Sequence, residues 1–341
     1  MDDLLDIQKR ILPDLVEVMQ KRYQILQYIN AMQPVGRRNL SMSLGLTERV
    51  LRSEVEFLKS QNLIQMSAQG MSMTKEGKDI LERLERVMRD LTGISTLESR
   101  LKSEMGIARV VVVPGDSDVS PWVKNELGNA CATSMKHRLS SDNIIAVTGG
   151  TTMAAVAETL TPEFGEKNLL FVPARGGLGE DVNNQANTVC AIMADKTNSR
   201  HRVFYVPDQV SSEIYESFIK EPLIYEVLGL IKSASMVLHG IGDAITMAER
   251  RSTSPEDMEK IIRRNAVGEA FGYYFNEAGE IVHKVLTIGL QLDDLTEVDT
   301  IIAVAGGASK AKAIRAYMKQ APRSTILITD EGAAKNLVQG F

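Results

Sequence analysis

The sequence predicts an α+β chain of two parts. The first is an N-terminal winged helix-turn-helix unit, all-α apart from one short hairpin. The second is a larger C-terminal α/β unit of the doubly wound, Rossmann-like kind. Three observations carry this. Residues 1–90 read almost wholly as helices, with one glycine-centred turn between two of them. Residues 91–341 alternate β-branched runs with helical runs, and many of the runs end in Gly. Within that second part, IIAVTGG at 144–150 is echoed by IIAVAGG at 301–307. Charge divides in the same way, with a net of +1 over residues 1–90 and −6 over the remainder. The boundary is therefore set at 90/91, with the junction near Leu91–Ser95.

Composition narrows the function classes. With 341 residues, 44% hydrophobic and 24% charged, the chain can bury a sizeable core. No apolar run approaches the ~18 residues of a membrane span, so no membrane partner is expected. MDDLLDIQKR at the N-terminus is acidic and amphipathic, without the basic end and apolar stretch of a secretory signal. Cys131 and Cys190 lie far apart in helix-like segments, which argues against a disulfide framework or a metal site and fits a reducing cytoplasm. A net charge of −5 excludes a general polyanion binder, so local charge has to be read instead.

The first helix starts at Pro13, a good first-turn residue. Its apolar face is Leu15, Met19, Tyr23, Leu26 and Ile29, and Pro34 and Gly36 stop it. Arg37 to Leu44 forms a short helix with Leu40 and Leu44 inward. Gly45 supplies the turn, Leu46 packs between helices, and Thr47 caps a longer helix from Glu48 to Ser60. Val50 or Leu51, then Val55 and Leu58, face inward, leaving Arg49, Arg52 and Ser53 outward. Leu63–Met66 and Met71–Thr74 make a hairpin around Ala68–Gly70, the wing. Thr74 then caps a helix with Ile80, Leu84, Val87 and Leu91 on one face. Charged residues on a helix are more simply a solvated face. Here the turn, cap, spacing and wing coincide, which is the pattern of a DNA-reading head. Arg49, Arg52 and Ser53 are the candidate base readers, following Thr47. Arg37 and Arg38 are the candidate phosphate contacts, which position a protein without specifying sequence. So few cations per head predict a dimer or a larger assembly, a tetramer, on operator DNA. The Leu-rich stretch from Ile80 to Leu101 is either a transmitter or, more simply, a packed connecting helix.

In the second part Arg109–Val113 opens the sheet, before a helix from Pro121 to Arg138. Further strands are read at 144–147, within LLFVPARGG (169–177), within MVLHGIG (236–242), at 301–304 and at Thr325–Thr329. Alternation of this kind predicts a parallel sheet covered on both faces, with ligands outside the carboxyl ends of its strands. Gly at a strand end lets backbone approach a phosphate, and the next helix offers free N–H groups. Gly149, Gly150, Thr151 and Thr152 form one such loop. The second echo adds Ser309 and Lys310. Neither is a P-loop, since GxxxxGK[ST] is absent, and LHGIGDAITMAER lacks the third glycine of a dinucleotide loop. A phosphomonoester carries roughly −1.5 to −2 near neutral pH. Arg175, Arg250 and Lys310, with Arg251 behind them, suit two phosphates better than one carboxylate. Gln185 and Glu269 are candidates for sugar hydroxyls, Glu269 being equally a cap or salt-bridge residue. His239, alone after an apolar strand, reads as a packed residue.

The strings SLGLTERVLRSEVEFLKSQNL, GDSDVSPWVKNELG (115–128), AVTGGTT (146–152), FVPARGGLGEDVNNQAN (171–187), SASMVLHGIG (233–242), AFGYYFN (270–276) and AVAGGASKAKAI (303–314) occur in order along the chain. In these the sequence resembles the SorC/DeoR-type sugar-operon regulators of bacteria, and within them the branch acting on a glycolytic operon. The resemblance implies a transcriptional repressor without catalytic residues or cofactor. It implies an effector domain similar in fold to sugar-phosphate isomerases and glucosamine-phosphate deaminases. The implied effector is fructose 1,6-bisphosphate, the inducer that relieves repression. By position it would be held by Gly149, Gly150, Thr151, Thr152, Arg175, Gln185, Arg250, Glu269 and Lys310. The rival reading is a sugar-phosphate isomerase or deaminase-like enzyme carrying a DNA-binding head. That chemistry needs a positioned general base, for which Glu269, Asp243 and His239 are the candidates.

Overall fold

The computed structural model describes residues 11–177 and 181–340. The acidic N-terminal stretch MDDLLDIQKR and residues 178–180 of the FVPARGGLGEDVNNQAN string lie outside the described residues. Two compact units divide between Leu97 and Glu98.

The first unit is a winged helix-turn-helix. Helix α1 spans Pro13–Met32, α2 Arg37–Leu44 and α3 Glu48–Ser60. Strands β1 (Ile64–Ser67) and β2 (Gly70–Met73) pair antiparallel as the wing, each displaced by one residue from its expected span. Val35 adds a bridge to Met71. Helix α4 runs over Lys75–Leu91. Gly45 takes φ 63° at the end of α2, the left-handed turn that glycine adopts at no steric cost. Thr47 Oγ1 accepts from Val50 N–H at 3.4 Å to cap α3, and Thr74 Oγ1 accepts from Gly77 N–H at 2.9 Å to cap α4. These bonds satisfy donors that have no acceptor within their own helix. Leu26, Ile29, Leu40, Leu51, Val55 and Leu58 are buried in the core. The structure chooses Leu51 over Val50, which is exposed. It also leaves Leu15 exposed, so the buried face of α1 begins later than its apolar spacing predicts. Val16 and Met19 instead pack with Tyr23 against Met88 and Leu91 of α4. The Leu-rich stretch is two helices, α4 and α5 (Ile94–Met105). They are interrupted where Thr92 caps α4 and Gly93 takes φ 76°.

The second unit is an α/β domain around seven parallel strands. These are β3 (Arg109–Val113), β4 (Asp142–Val147), β5 (Asn168–Pro173), β6 (Arg200–His201), β7 (Met236–Gly240), β12 (Thr300–Val304) and β13 (Thr325–Asp330). Their order across the sheet is β3-β13-β12-β7-β4-β5-β6. From β4 the chain steps outward to β5 and β6, then returns to β7 beside β4 and continues the other way through β12 and β13. The reversal lies between β4 and β7, where an open parallel sheet leaves a crevice at its carboxyl edge. Ile145, Val147, Leu238, Ile302, Val304 and Ile328 are buried with residues of the flanking helices α6 (Val123–Lys136), α7 (Thr151–Thr159) and α8 (Ala186–Lys196). Cys131 and Cys190 belong to this core as free thiols. Burial pushes the Cys131 thiol up to about 12, which leaves it protonated and inert.

Alternation alone did not predict the second sheet. Four short antiparallel strands pair in the order β11-β10-β9-β8, namely β8 (Gly242–Asp243), β9 (Ala266–Ala270), β10 (Tyr273–Asn276) and β11 (Ile281–Lys284). It lies between β7 and β12 in sequence and includes Glu269 and Tyr274. Between β6 and β7 come α9 (Ser212–Phe218) and α10 (Pro222–Lys232), and after β8 come α11 (Ala244–Arg250) and α12 (Pro255–Arg263). Helices α13 (Ala311–Met318) and α14 (Glu331–Gln339) close the chain. Among the described residues no helix is long and apolar enough to cross a membrane.

Candidate functional site

At the reversal point the strand ends are tied together. Thr148 N–H donates to Leu238 O at 3.0 Å, and Gly240 N–H donates to Thr148 Oγ1 at 3.3 Å. Beyond them opens a cleft of about 880 Å³, its mouth included. All nine residues assigned to the ligand line it: Gly149, Gly150, Thr151, Thr152, Arg175, Gln185, Arg250, Glu269 and Lys310. They come from the segments after β4, β5 and β12, from the C-terminal end of α11 and from the small sheet, so only the fold unites them.

The loop after β4 turns tightly into the start of a helix. Gly150 takes φ 112° and ψ 159° as the residue before α7, a conformation almost confined to glycine. Its N–H donates to Asn184 O at 2.7 Å. A Cβ on Gly149 would stand 2.5 Å from that same carbonyl. The first bond inside α7 is Ala154 N–H to Gly150 O. The amides of Thr151, Thr152 and Met153 precede it and carry the positive end of the helix dipole.

The second glycine pair behaves differently, and this corrects the expectation of a second phosphate loop. Gly307 N–H donates to Asp330 Oδ2 at 2.6 Å, Ala308 N–H to Asp116 Oδ1 at 3.3 Å and Ser309 N–H to Asp118 Oδ2 at 2.8 Å. Three carboxylates of the protein already occupy the donors, and Ser309 is exposed away from the cleft. Only Lys310 reaches the cleft from this loop. Among the described residues, no carboxylate lies within 4.0 Å of its ammonium. Burial and the nearby Lys124 lower its pKa from 10.5.

The arginines are also redistributed. Arg175, Asp208, Arg251 and Glu269 form a buried network. Arg175 Nε donates to Asp208 Oδ1 at 2.7 Å, and its Nη2 lies 2.6 Å from that oxygen without hydrogen-bond geometry. Arg251 Nε donates to Asp208 Oδ2 at 2.9 Å, Nη2 to Glu269 Oε1 at 2.9 Å and Nη1 to the Tyr274 hydroxyl at 3.0 Å. Glu269 Oε1 also accepts from Gly272 N–H at 2.6 Å. Burial opposes the charge on Arg251, yet Glu269 and Asp208 overcome it and hold its pKa above the ordinary value. Arg251, ranked behind Arg250 in the sequence, thus ties Asp208, Glu269 and Tyr274 together, and both arginines line the cleft. Sequence reasoning missed Asp208, Asp181, Asn184 and Met247, which also line it. Asp208 has no local signal at all, being one acid in an irregular segment.

The candidate bases are otherwise engaged. His239 is fully buried, with Nδ1 3.0 Å from Gly240 O and Nε2 3.1 Å from the Tyr317 hydroxyl. Burial lowers its pKa to about 4, so it is the packed residue its position suggested. Asp243 Oδ1 caps α11 by accepting from Thr246 N–H at 2.9 Å.

In the first unit, Arg49, Arg52 and Ser53 are exposed together on α3, and Thr47 caps it. Arg52 Nε donates to Glu56 Oε1 at 3.0 Å, both side chains being largely exposed. Arg22 holds α3 from α1, donating to Glu54 at 2.8 Å with its guanidinium 3.6 Å above the Phe57 ring. Arg37 and Arg38 are exposed at the start of α2.

Comparison with known proteins agrees with this division. Residues 18–88 match the family described as the CggR N-terminal DNA-binding domain, and residues 89–339 match the family described as a sugar-binding domain. The chain is 61% identical over 342 residues to the central glycolytic genes regulator of Priestia megaterium, covering 100% of both chains. It is 57% identical over 339 residues to that of Bacillus subtilis, covering 99% of both. A SorC family transcriptional regulator from Enterococcus faecalis superposes with a TM-score of 0.68 at 48% identity, over 71% of this chain and 99% of that one. A DNA-binding head, a sugar-binding α/β domain and full-length similarity at this level place the chain among the central glycolytic genes regulators, within the SorC family of transcription regulators.

Proposed function

We propose that this regulator is a repressor whose grip on operator DNA is relieved when fructose 1,6-bisphosphate fills the cleft. The observation that carries the reading is the union in one cleft of the α7 amides and Lys310, whose ammonium has no carboxylate within 4.0 Å among the described residues. Amides ahead of the first helical bond suit one phosphate, and Lys310 suits negative charge at another point. Gln185 and Glu269 stand where sugar hydroxyls would lie. In the head, Arg37 and Arg38 sit at the positive end of α2, where cations oppose the helix dipole. A DNA phosphate at that point offsets this cost. Arg49, Arg52 and Ser53 then face base edges. Assembly as a dimer or tetramer on DNA belongs to the same proposal, as does action in the cytoplasm.

Coupling requires that the ligand bind the DNA-competent and DNA-incompetent states unequally. Titration of labelled operator-region DNA at fixed salt, with and without fructose 1,6-bisphosphate, tests it. Fixed salt matters because phosphate contacts make affinity steeply salt-dependent. Weakened DNA binding with the bisphosphate, and not with fructose 6-phosphate at equal concentration, is the expected result. DNA binding that no sugar phosphate alters would overturn the effector assignment. The three bases named for the enzyme reading are engaged elsewhere: Glu269 with Arg251 and Gly272, Asp243 in a helix cap and His239 in the core. Metal-independent turnover of hexose or pentose phosphates above background would revive it.

A further inference from the structure

The cleft contains more fixed negative charge than a phosphate site calls for. Arg175, Asp208 and Glu269 are at most 7% exposed, and the Arg251 side chain is 3% exposed. Two cations and two carboxylates give the group a formal charge of zero. Asp208 is central to it, because its two oxygens hold one arginine each. Its place is fixed by backbone. Gly177 N–H donates to Val206 O at 3.0 Å and Asp208 N–H to Gly177 O at 2.9 Å, which lays Asp208 beside the segment that carries Arg175. Without Asp208, two buried guanidiniums facing the cleft would attract any small anion.

We propose that Asp208 is a specificity-determining residue of the cleft: it cancels the charge of one arginine, so the site discriminates against free inorganic phosphate in favour of a phosphosugar. The cancelled arginine contributes shape and hydrogen-bond donors rather than net charge. A bare phosphate then gains from the α7 amides or from Lys310. A phosphosugar also gains from the contacts its hydroxyls make between them. This rests on the cleft being the phosphosugar site proposed above.

The test compares the full-length protein with Asp208→Asn, Arg251→Gln and the double variant, whose networks carry +1, −1 and 0. Calorimetric titration with inorganic phosphate and with fructose 1,6-bisphosphate is the readout, after thermal melting confirms folding. Affinity for inorganic phosphate should follow the charge. It should rise by about tenfold or more in Asp208→Asn and fall by about tenfold or more in Arg251→Gln, the direction that a unit charge near the ligand dictates. The double variant should return to near the native value. The ratio of bisphosphate to phosphate affinity should narrow in Asp208→Asn. A packing role predicts instead that every variant binds both ligands more weakly, and that result overturns the proposal. If Asp208→Asn does not fold, the double variant must still bind inorganic phosphate more tightly than Arg251→Gln, or the proposal fails. Native protein that binds no sugar phosphate would refute the functional reading. Native binding with no charge ranking would refute only the role of Asp208.

Discussion

Replacing Lys310 with Gln should move stability and ligand affinity in opposite directions. The ammonium is half-buried at the end of the turn after β12. Among the described residues it has no carboxylate within 4.0 Å, and burial lowers its pKa from 10.5. A group whose folded pKa lies below its unfolded value costs stability when both states are protonated. That cost is fully present below the folded pKa and is relieved as pH rises toward 10.5. At neutral pH, Lys310→Gln removes it, and the ligand-free protein should melt at a higher temperature. The bisphosphate complex should lose the reverse. A unit charge about 4 Å from phosphate at an effective dielectric near 20 is worth up to about 4 kcal/mol. Desolvation and the retained amide reduce the expected loss to about 2 kcal/mol, roughly thirtyfold in Kd. Differential scanning fluorimetry without ligand and calorimetry with fructose 1,6-bisphosphate read the two effects. A variant that melts lower without ligand and binds the bisphosphate as tightly as the native chain would refute the reasoning, since Lys310 would then be structural.

Four other outcomes follow from the same geometry. Gly150→Ala has open space for its methyl, so its cost is backbone strain at φ 112°. That cost is about 1–3 kcal/mol, seen as a lower melting temperature together with weakened bisphosphate binding. Arg52→Ala breaks only an exposed pair with Glu56, so head stability should change by less than about 0.5 kcal/mol. Operator affinity should fall by about 1–3 kcal/mol in a DNA titration if Arg52 reads a base, whereas Arg38→Gln should weaken all DNA alike and reduce the salt slope by about 1. His239 is neutral in the folded chain, its pKa lowered from 6.5 to about 4 by burial. The unfolded state therefore binds the extra proton between these values, and stability falls as pH drops from 6.5 to 4, by roughly 1.4 kcal/mol per unit at most. Thermal melts of His239→Gln across that range should show a shallower decline than the native protein.

The head was legible because its rules are local: a glycine turn, two threonine caps and apolar spacing, each decided within a few residues. Leu15 escaped because spacing shows which face is apolar but not how far along α1 a partner extends. The α/β sheet was legible for a similar reason, since buried parallel strands are continuous apolar runs. The small sheet was not, because Gly242–Asp243 and the short strands from Ala266 to Lys284 are too brief to show a period and gain their identity from one another. The site divides along the same line. IIAVTGG and IIAVAGG are nearly one string, and each correctly announced a strand, a turn and a helix. What each loop binds is decided by residues far away in sequence. Asp116, Asp118 and Asp330 take the amides after Gly306, whereas among the described residues Asn184 O meets the turn at Gly150, leaving the next three amides ahead of any helical bond. Arg250 and Arg251 both line the cleft, and Arg251 is in addition locked between Asp208 and Glu269, which no local pattern in the sequence announces. A repeated loop is therefore evidence of repeated architecture, and on the proposed reading an anion goes to the copy whose donors no described residue claims. Replacing Asp118 with Ala makes that argument testable. It removes one claimant from the second loop, and if unclaimed donors are what matter, anion affinity should appear there in a phosphate titration while Thr152→Ala continues to weaken the first loop alone.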